Sequence, residues 1–243
     1  GPIAGAIIAD RFGWRMIFMT LGVLGLLSLL NALLRWHETR PASAAPSQAR
    51  FGPIMRSPEF WCYTLGFSAA MGTFFVFFST APRVLVDKAR YSELEFSLAF
   101  ATAALVMIVT ARFAKIFVAN WGIGGSLLRG MLTLLAGSLC LTLGQVAGSP
   151  GLLTFVVPMW VMAIGIVFTV SVTANGALRS FDDTAGSAVA LYFCVQSLIV
   201  VIVGTLAIVA LRGDTAWPLI AYSSSTALVT LVALGLLGRR EAS

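Results

Sequence analysis

The chain has 243 residues, 58% of them hydrophobic and only 11% charged, with a net charge of +6 and a mean hydropathy of +0.93. A soluble domain carries about 25% charged residues, and a globule of this size must leave much of its surface in water. A soluble enzyme or binding module does not fit, whereas a multi-pass membrane protein does. The basic excess lies in polar segments between apolar runs and forms no basic helix or aromatic-rich basic strand, which argues against nucleic acid as a partner.

In chain order, residues 1–9 (GPIAGAIIA) are too short to cross a bilayer and read as the last turns of a helix that begins upstream. No charged segment precedes them that would make a signal peptide. Asp10–Trp14 is a short turn, and a first apolar span covers about 15–34. Residues 35–59 are the one long polar stretch, with Arg35, Arg40, Arg50 and Arg56 among Pro41, Pro46, Pro53 and Pro58. Proline lacks an amide donor and disfavours helix at the residue before it, which predicts an irregular, water-facing connector. Six more spans are predicted at about 60–82, 94–113, 127–147, 152–174, 187–211 and 217–237. The chain thus divides into 1–34, the connector 35–59 and a six-span bundle 60–243, readable as two three-span units of opposite orientation.

With the connector in the cytoplasm, ten of the sixteen basic residues lie on that side and six on the other, the expected direction of bias. Trp14, Trp36, Trp61, Trp121 and Trp217 fall at span ends, where an indole suits the membrane interface. Trp160 lies about 12 Å inside its span at 1.5 Å per residue. Cys62, Cys140 and Cys194 fall inside spans, apart from each other and from His37, the lone histidine. Neither a disulfide framework nor a metal site is indicated.

Two stripes could carry chemistry. In the span 60–82, Phe67, Met71, Phe74 and Phe78 recur at helical spacing on one face, while Phe75 and Phe77 lie on others. Aromatics with a pliable methionine suit a weakly polar ligand, although phenylalanines that only face lipid give the same pattern. In the span 152–174 and just past it, Trp160, Ile164, Phe168, Ser171 and Asn175 share a face that adds an indole, a hydroxyl and an amide. For Ser171 the plain alternative is a bond to its own helix carbonyl, and for Asn175 the end of the helix. No Asp, Glu, Lys or Arg lies mid-span between 60 and 237. Catalysis in the membrane, a cofactor-binding lysine and a proton-binding group are therefore not expected within these spans.

Gly1-Pro2-Ile3-Ala4-Gly5 sets small residues four apart beside a proline, a pattern for close and bent helix packing. Followed by Gly13-Trp14-Arg15 and Ile17-Phe18, it resembles the antiporter motif at the end of the fifth helix of major facilitator drug exporters. Gly5-Ala6 stands where that motif usually has two glycines. The resemblance continues through the runs 30–32, 35–41, 72–82, 158–160, 172–178 and 214–218. These look like the chloramphenicol/florfenicol exporters, drug:proton antiporters of the major facilitator superfamily.

The resemblance implies an all-α polytopic fold of twelve helices. The chain would carry the end of the fifth and the whole sixth (1–34), a cytoplasmic connector, and the C-terminal six. It implies phenicol efflux against proton influx across the bacterial cytoplasmic membrane by a protein that is a monomer at full length. Drug, protons and the lipid bilayer are its partners, with no cofactor, metal or catalytic residue. The seventh and tenth helices line the family's cavity, which makes Phe67, Met71, Phe74, Phe78, Trp160, Phe168, Ser171 and Asn175 candidate substrate contacts, and Gly1, Pro2 and Gly5 the antiporter motif. The family's acidic residue in the first helix and arginine in the fourth have no counterpart here, so this stretch alone is expected to be inactive. Two other readings stay open: a major facilitator transporter of another cargo, and a membrane subunit that transports nothing.

Overall fold

The computed structural model describes residues 2–35, 51–148, 151–181 and 184–241, and these are helical nearly throughout. The helices are α1 (Pro2–Phe12), α2 (Trp14–Arg35), α3 (Phe51–Arg56), α4 (Pro58–Pro82), α5 (Glu93–Ala147), α6 (Val157–Leu178), α7 (Ala185–Ala210) and α8 (Trp217–Glu241). The turn expected at 10–14 shrinks to Gly13, whose φ of +83° interrupts an otherwise continuous helical path. The connector is less irregular than its prolines predict, since α3 occupies residues 51–56 and α4 starts at Pro58. Its part 36–50, with His37, lies outside the described residues.

Local chemistry fixes the starts of the helices. The Ser57 hydroxyl accepts the Phe60 amide at 3.2 Å and Pro58 takes the first helical position of α4, where its missing amide costs nothing. At α5, Ser92 accepts the Glu95 amide while the Glu95 carboxylate accepts the Ser92 amide at 2.8 Å, a reciprocal cap. Past Pro82, residues Arg83–Lys88 widen into π-helical turns, as do Leu152–Val156 ahead of α6.

The 55 residues of α5 would reach about 82 Å if straight, far beyond a bilayer core of about 30 Å. They do not run straight. Gly122 has φ 69° and ψ 179°, a conformation that side-chain-bearing residues avoid. Before it, Thr102 meets Trp160 and Trp121 meets Phe168, so the first arm runs parallel to α6. After it, Gly130 lies against Gly165 and Gly137 against Met162, so the second arm runs antiparallel. α5 is therefore two membrane spans folded back at one residue. The predicted spans 94–113 and 127–147 both exist, but the loop expected between them is helical apart from Gly122. Among the described residues six helices are long and apolar enough to cross a membrane, and α5 counts twice.

α4 and α6 form the centre. They pack antiparallel, with Phe77 stacked on Phe155 at one end and Tyr63 against Gly176 at the other. α8 runs antiparallel to α4, with Tyr222 over Gly72 and Thr230 beside Gly66. α7 runs parallel to α4, with Tyr192 on Phe67 and Gly204 against Phe75. The second arm of α5 meets α6 backbone to backbone: a Cβ at Gly165 would stand 2.7 Å from the Gly130 carbonyl oxygen. α1 packs on α2 and on α5, and no residue of α2 is buried.

Each end of the bundle carries an ion pair between distant segments. At the connector end Arg179 meets Glu59 at 2.8 Å, and at the far end Lys88 meets Asp214 at 2.8 Å.

Candidate functional site

The two predicted stripes lie on the two central helices. Between Phe67 and Ala81 of α4, the residues that are not buried are Met71, Phe74, Phe75, Phe78 and Ser79. Met71, Phe74 and Phe78 thus follow the open side of a helix otherwise sealed all round, while Phe75 turns toward Gly204 of α7. Phe67 is closed off: its ring stacks on Tyr192 at 4.9 Å and meets the edge of Phe193 at 5.9 Å. Phe74 and Phe78 lie beside Phe100 of the first α5 arm, at 6.3 and 5.2 Å between ring centres.

On α6, Trp160, Ile164, Ser171 and Asn175 belong to the open side, and Phe168 is buried. The Trp160 indole donates to the Thr102 hydroxyl at 2.9 Å. The Ser171 hydroxyl donates to the Val167 carbonyl of its own helix at 2.7 Å, the local bond that serine favours inside an apolar helix. Asn175 is exposed toward the connector end. The first arm of α5 therefore borders both stripes, through Phe100 on the α4 side and Thr102 on the α6 side.

A cavity of about 510 Å3 opens between that arm and α6, lined among others by Thr110, Phe113, Phe117, Trp121, Ile164 and Phe168. Its volume suits a drug-sized ligand, for which sites span about 300–1,000 Å3. Phe117 meets Phe168 edge-on at 5.8 Å, Trp121 meets Phe168 at 5.2 Å, and the Arg129 guanidinium lies over the Trp121 ring at 4.6 Å. The walls offer ring faces and one threonine hydroxyl, with no titratable side chain among the described residues that line them. Such a site can stack on an aromatic ligand and accept or donate a single hydrogen bond.

Of the predicted contacts, this cavity takes Phe168 alone. Its α5 wall escapes the sequence reading because Trp121 reads as an interfacial tryptophan. The signal is present: Phe113, Phe117 and Trp121 recur every four residues, as the α6 stripe does. Of the small-residue motif, Gly1 lies outside the described residues and Pro2 belongs to α1. A Cβ placed on Gly5 would meet no atom within 4 Å, so among the described residues no helix makes the close approach that the motif predicts there. Among the described residues no cluster of His, Cys, Asp and Glu could hold a metal ion.

Comparison with known proteins gives this arrangement its context. Residues 1–205 match the family model of the Major Facilitator Superfamily. A chloramphenicol resistance protein of Pseudomonas aeruginosa is 41% identical over 95% of the chain and 55% of its own length. A chloramphenicol resistance protein of Escherichia coli is 31% identical over 59% of the chain and 44% of its length. An uncharacterized MFS-type transporter of Bacillus subtilis, YdgK, is 30% identical over 93% of the chain and 57% of its length. The chain spans about half the length of these curated relatives. No solved structure matches it at a significant level. Seven apolar spans among the described residues, six of them in a bundle centred on α4 and α6, together with a family match over most of the sequence, make this a multi-pass protein of the bacterial inner membrane that belongs to the major facilitator superfamily.

Proposed function

We propose that the protein containing this chain exports phenicol antibiotics from the cytoplasm in exchange for protons, and that the open sides of α4 and α6 with the adjoining α5 arm form one wall of the drug path. The observation that carries the reading is the 41% identity to a chloramphenicol resistance protein, maintained over 95% of the chain. The aromatic lining supports it, because a nitro- or sulfonyl-phenyl ring stacks well on indole and phenyl faces. The protein moves its substrate without transforming it, and works as a monomer. Residues 60–243 belong to the C-terminal bundle, 1–34 to the N-terminal one, and 35–59 to a cytoplasmic connector between them.

Proton coupling needs a titratable group in the membrane. None stands mid-span between α4 and α8, so this role falls to the half of the protein that the chain does not include. The test is drug accumulation in a susceptible host that expresses the full-length protein. Labelled chloramphenicol should be held several-fold below the level in control cells, and a protonophore should abolish the difference. Unchanged accumulation would reject phenicol export, and a difference that survives the protonophore would reject the coupling.

A further inference from the structure

Trp121 forms the connector end of the α5 wall of the aromatic cavity, and a charge stands behind its ring. Gly122 folds α5 back directly after Trp121, so the second arm returns Arg129 to the level of that ring. The Arg129 guanidinium lies 4.6 Å from the ring centre and donates to the Gly125 carbonyl at 3.2 Å. A Cβ on Gly125 would stand 3.1 Å from the guanidinium and 3.5 Å from the Trp121 Cβ, so a side chain there would crowd both partners.

The charge reaches the cavity while the cation itself stays out of it. Trp121 lines the cavity and Arg129 does not, so the indole stands between the guanidinium and a ligand. A ring stacked on the cavity face of the indole, at a contact of about 3.5 Å, lies roughly 8 Å from the guanidinium. Among the described residues no carboxylate pairs with Arg129 and none lines the cavity. Arg112 and Lys115, on the first arm, are exposed and add charge of the same sign. Unit charges this far apart change binding about thirtyfold at an effective dielectric of about 20 and about twofold in bulk water. Arg129 is exposed, which sets the expected effect between these limits, at about fivefold.

We propose that Arg129 sets the charge selectivity of the drug path: across the Trp121 ring it repels cationic aromatic compounds and admits neutral and anionic ones. The inference rests on the cavity being part of that path. Phenicols carry their amine capped as an amide, so they bring no cation to repel, and their nitro or sulfonyl oxygens bring partial negative charge. The walls of ring faces and one hydroxyl hold no charge of their own, so the selection comes from behind them.

The test uses the full-length protein, purified in detergent, and three ligands built on one nitrophenylpropanediol frame. These are chloramphenicol, which is neutral, its deacylated amine, which is a cation at neutral pH, and its succinate ester, which is an anion. Displacement of labelled chloramphenicol measures each affinity. In Arg129→Gln the amine should bind about fivefold more tightly and the ester about fivefold more weakly, with chloramphenicol within about twofold of the parent. Arg129→Lys, which keeps a cation at this position, should hold all three within about twofold. A purely structural role for Arg129 would move the three ligands in the same direction, and that result would overturn the inference, as would an unchanged affinity for the amine. Where Arg129→Gln does not fold, the parent protein decides. Rising salt should then tighten binding of the amine and loosen that of the ester, and an equal response of the two would overturn the inference. Failure of the parent to bind chloramphenicol would reject phenicol export and this inference with it. Binding of chloramphenicol without the charge order would reject the inference alone.

Discussion

Trp160 gives its single hydrogen-bond donor to Thr102, Nε1 to Oγ1 at 2.9 Å, and so ties α6 to the first arm of α5. A drug near Trp160 would therefore meet the ring and not the N–H. Trp160→Phe, which keeps the ring, should leave the KM for chloramphenicol within about twofold and lower stability by about 1 kcal/mol. Trp160→Ala removes the ring as well and should raise KM several-fold. Transport and thermal unfolding of the full-length protein measure the two effects. A Trp160→Phe variant with the KM of Trp160→Ala would show that the donor reaches the drug.

The aromatic cavity makes a second prediction. Phe117 faces Phe168 and belongs to no other ring cluster than that of Trp121. Phe117→Ala should weaken chloramphenicol binding by about 1 kcal/mol, near fivefold. Phe51→Ala, an exposed side chain of α3 at the connector end, should leave it unchanged. Drug binding per folded protein in detergent measures this, and equal affinities for Phe117→Ala and the parent would remove the cavity from the drug path.

Gly72 lies directly under the Tyr222 ring, whose hydroxyl donates to the Ser68 carbonyl at 2.9 Å. A methyl group at position 72 would occupy the space of the phenol. Gly72→Ala should cost about 1–3 kcal/mol and lower the yield of folded protein. In a Tyr222→Ala background the same change should cost far less, because the pair shares one space. Additive losses in the double variant would show that the two do not contend for it.

The Lys88–Asp214 pair predicts a pH dependence. The Lys88 ammonium, hydrogen-bonded to Asp214, holds that carboxyl below its ordinary value of 3.8. A carboxyl with a lowered folded-state pKa contributes stability above its unfolded pKa and loses it as pH falls through the folded value. Wild type should therefore exceed Asp214→Asn in unfolding midpoint at pH 6. The gap, small because both side chains are partly exposed, should narrow as pH falls below about 4. A gap that widens with acid would contradict the pairing.

Much of this arrangement is legible in the sequence, and the failures have physical causes. Apolar length places all seven spans, with most boundaries within four residues of the observed helices. It misses the continuity of α5 because Arg112, Lys115 and Arg129 around Gly122 look like a loop, whereas a helix can carry cations past the hydrocarbon without breaking. Helical spacing finds the open sides of α4 and α6. It does not reveal that Phe67 is covered, because the covering ring, Tyr192, comes from a helix far along the chain. Nor does spacing reveal which donors have already found partners, as Trp160 and Ser171 have.

The fold-back at Gly122 leaves no spare chain between two membrane crossings. One residue inserted there would turn the second arm by about 100° about its axis. Met131 and Leu134, now fully buried, would swing out of the bundle, and the side chains beside them would swing in. This corner should accept neither epitope tags nor evolutionary insertions, unlike a slack loop. Any rocking of the bundle must carry both arms together, as the two sides of a bracket.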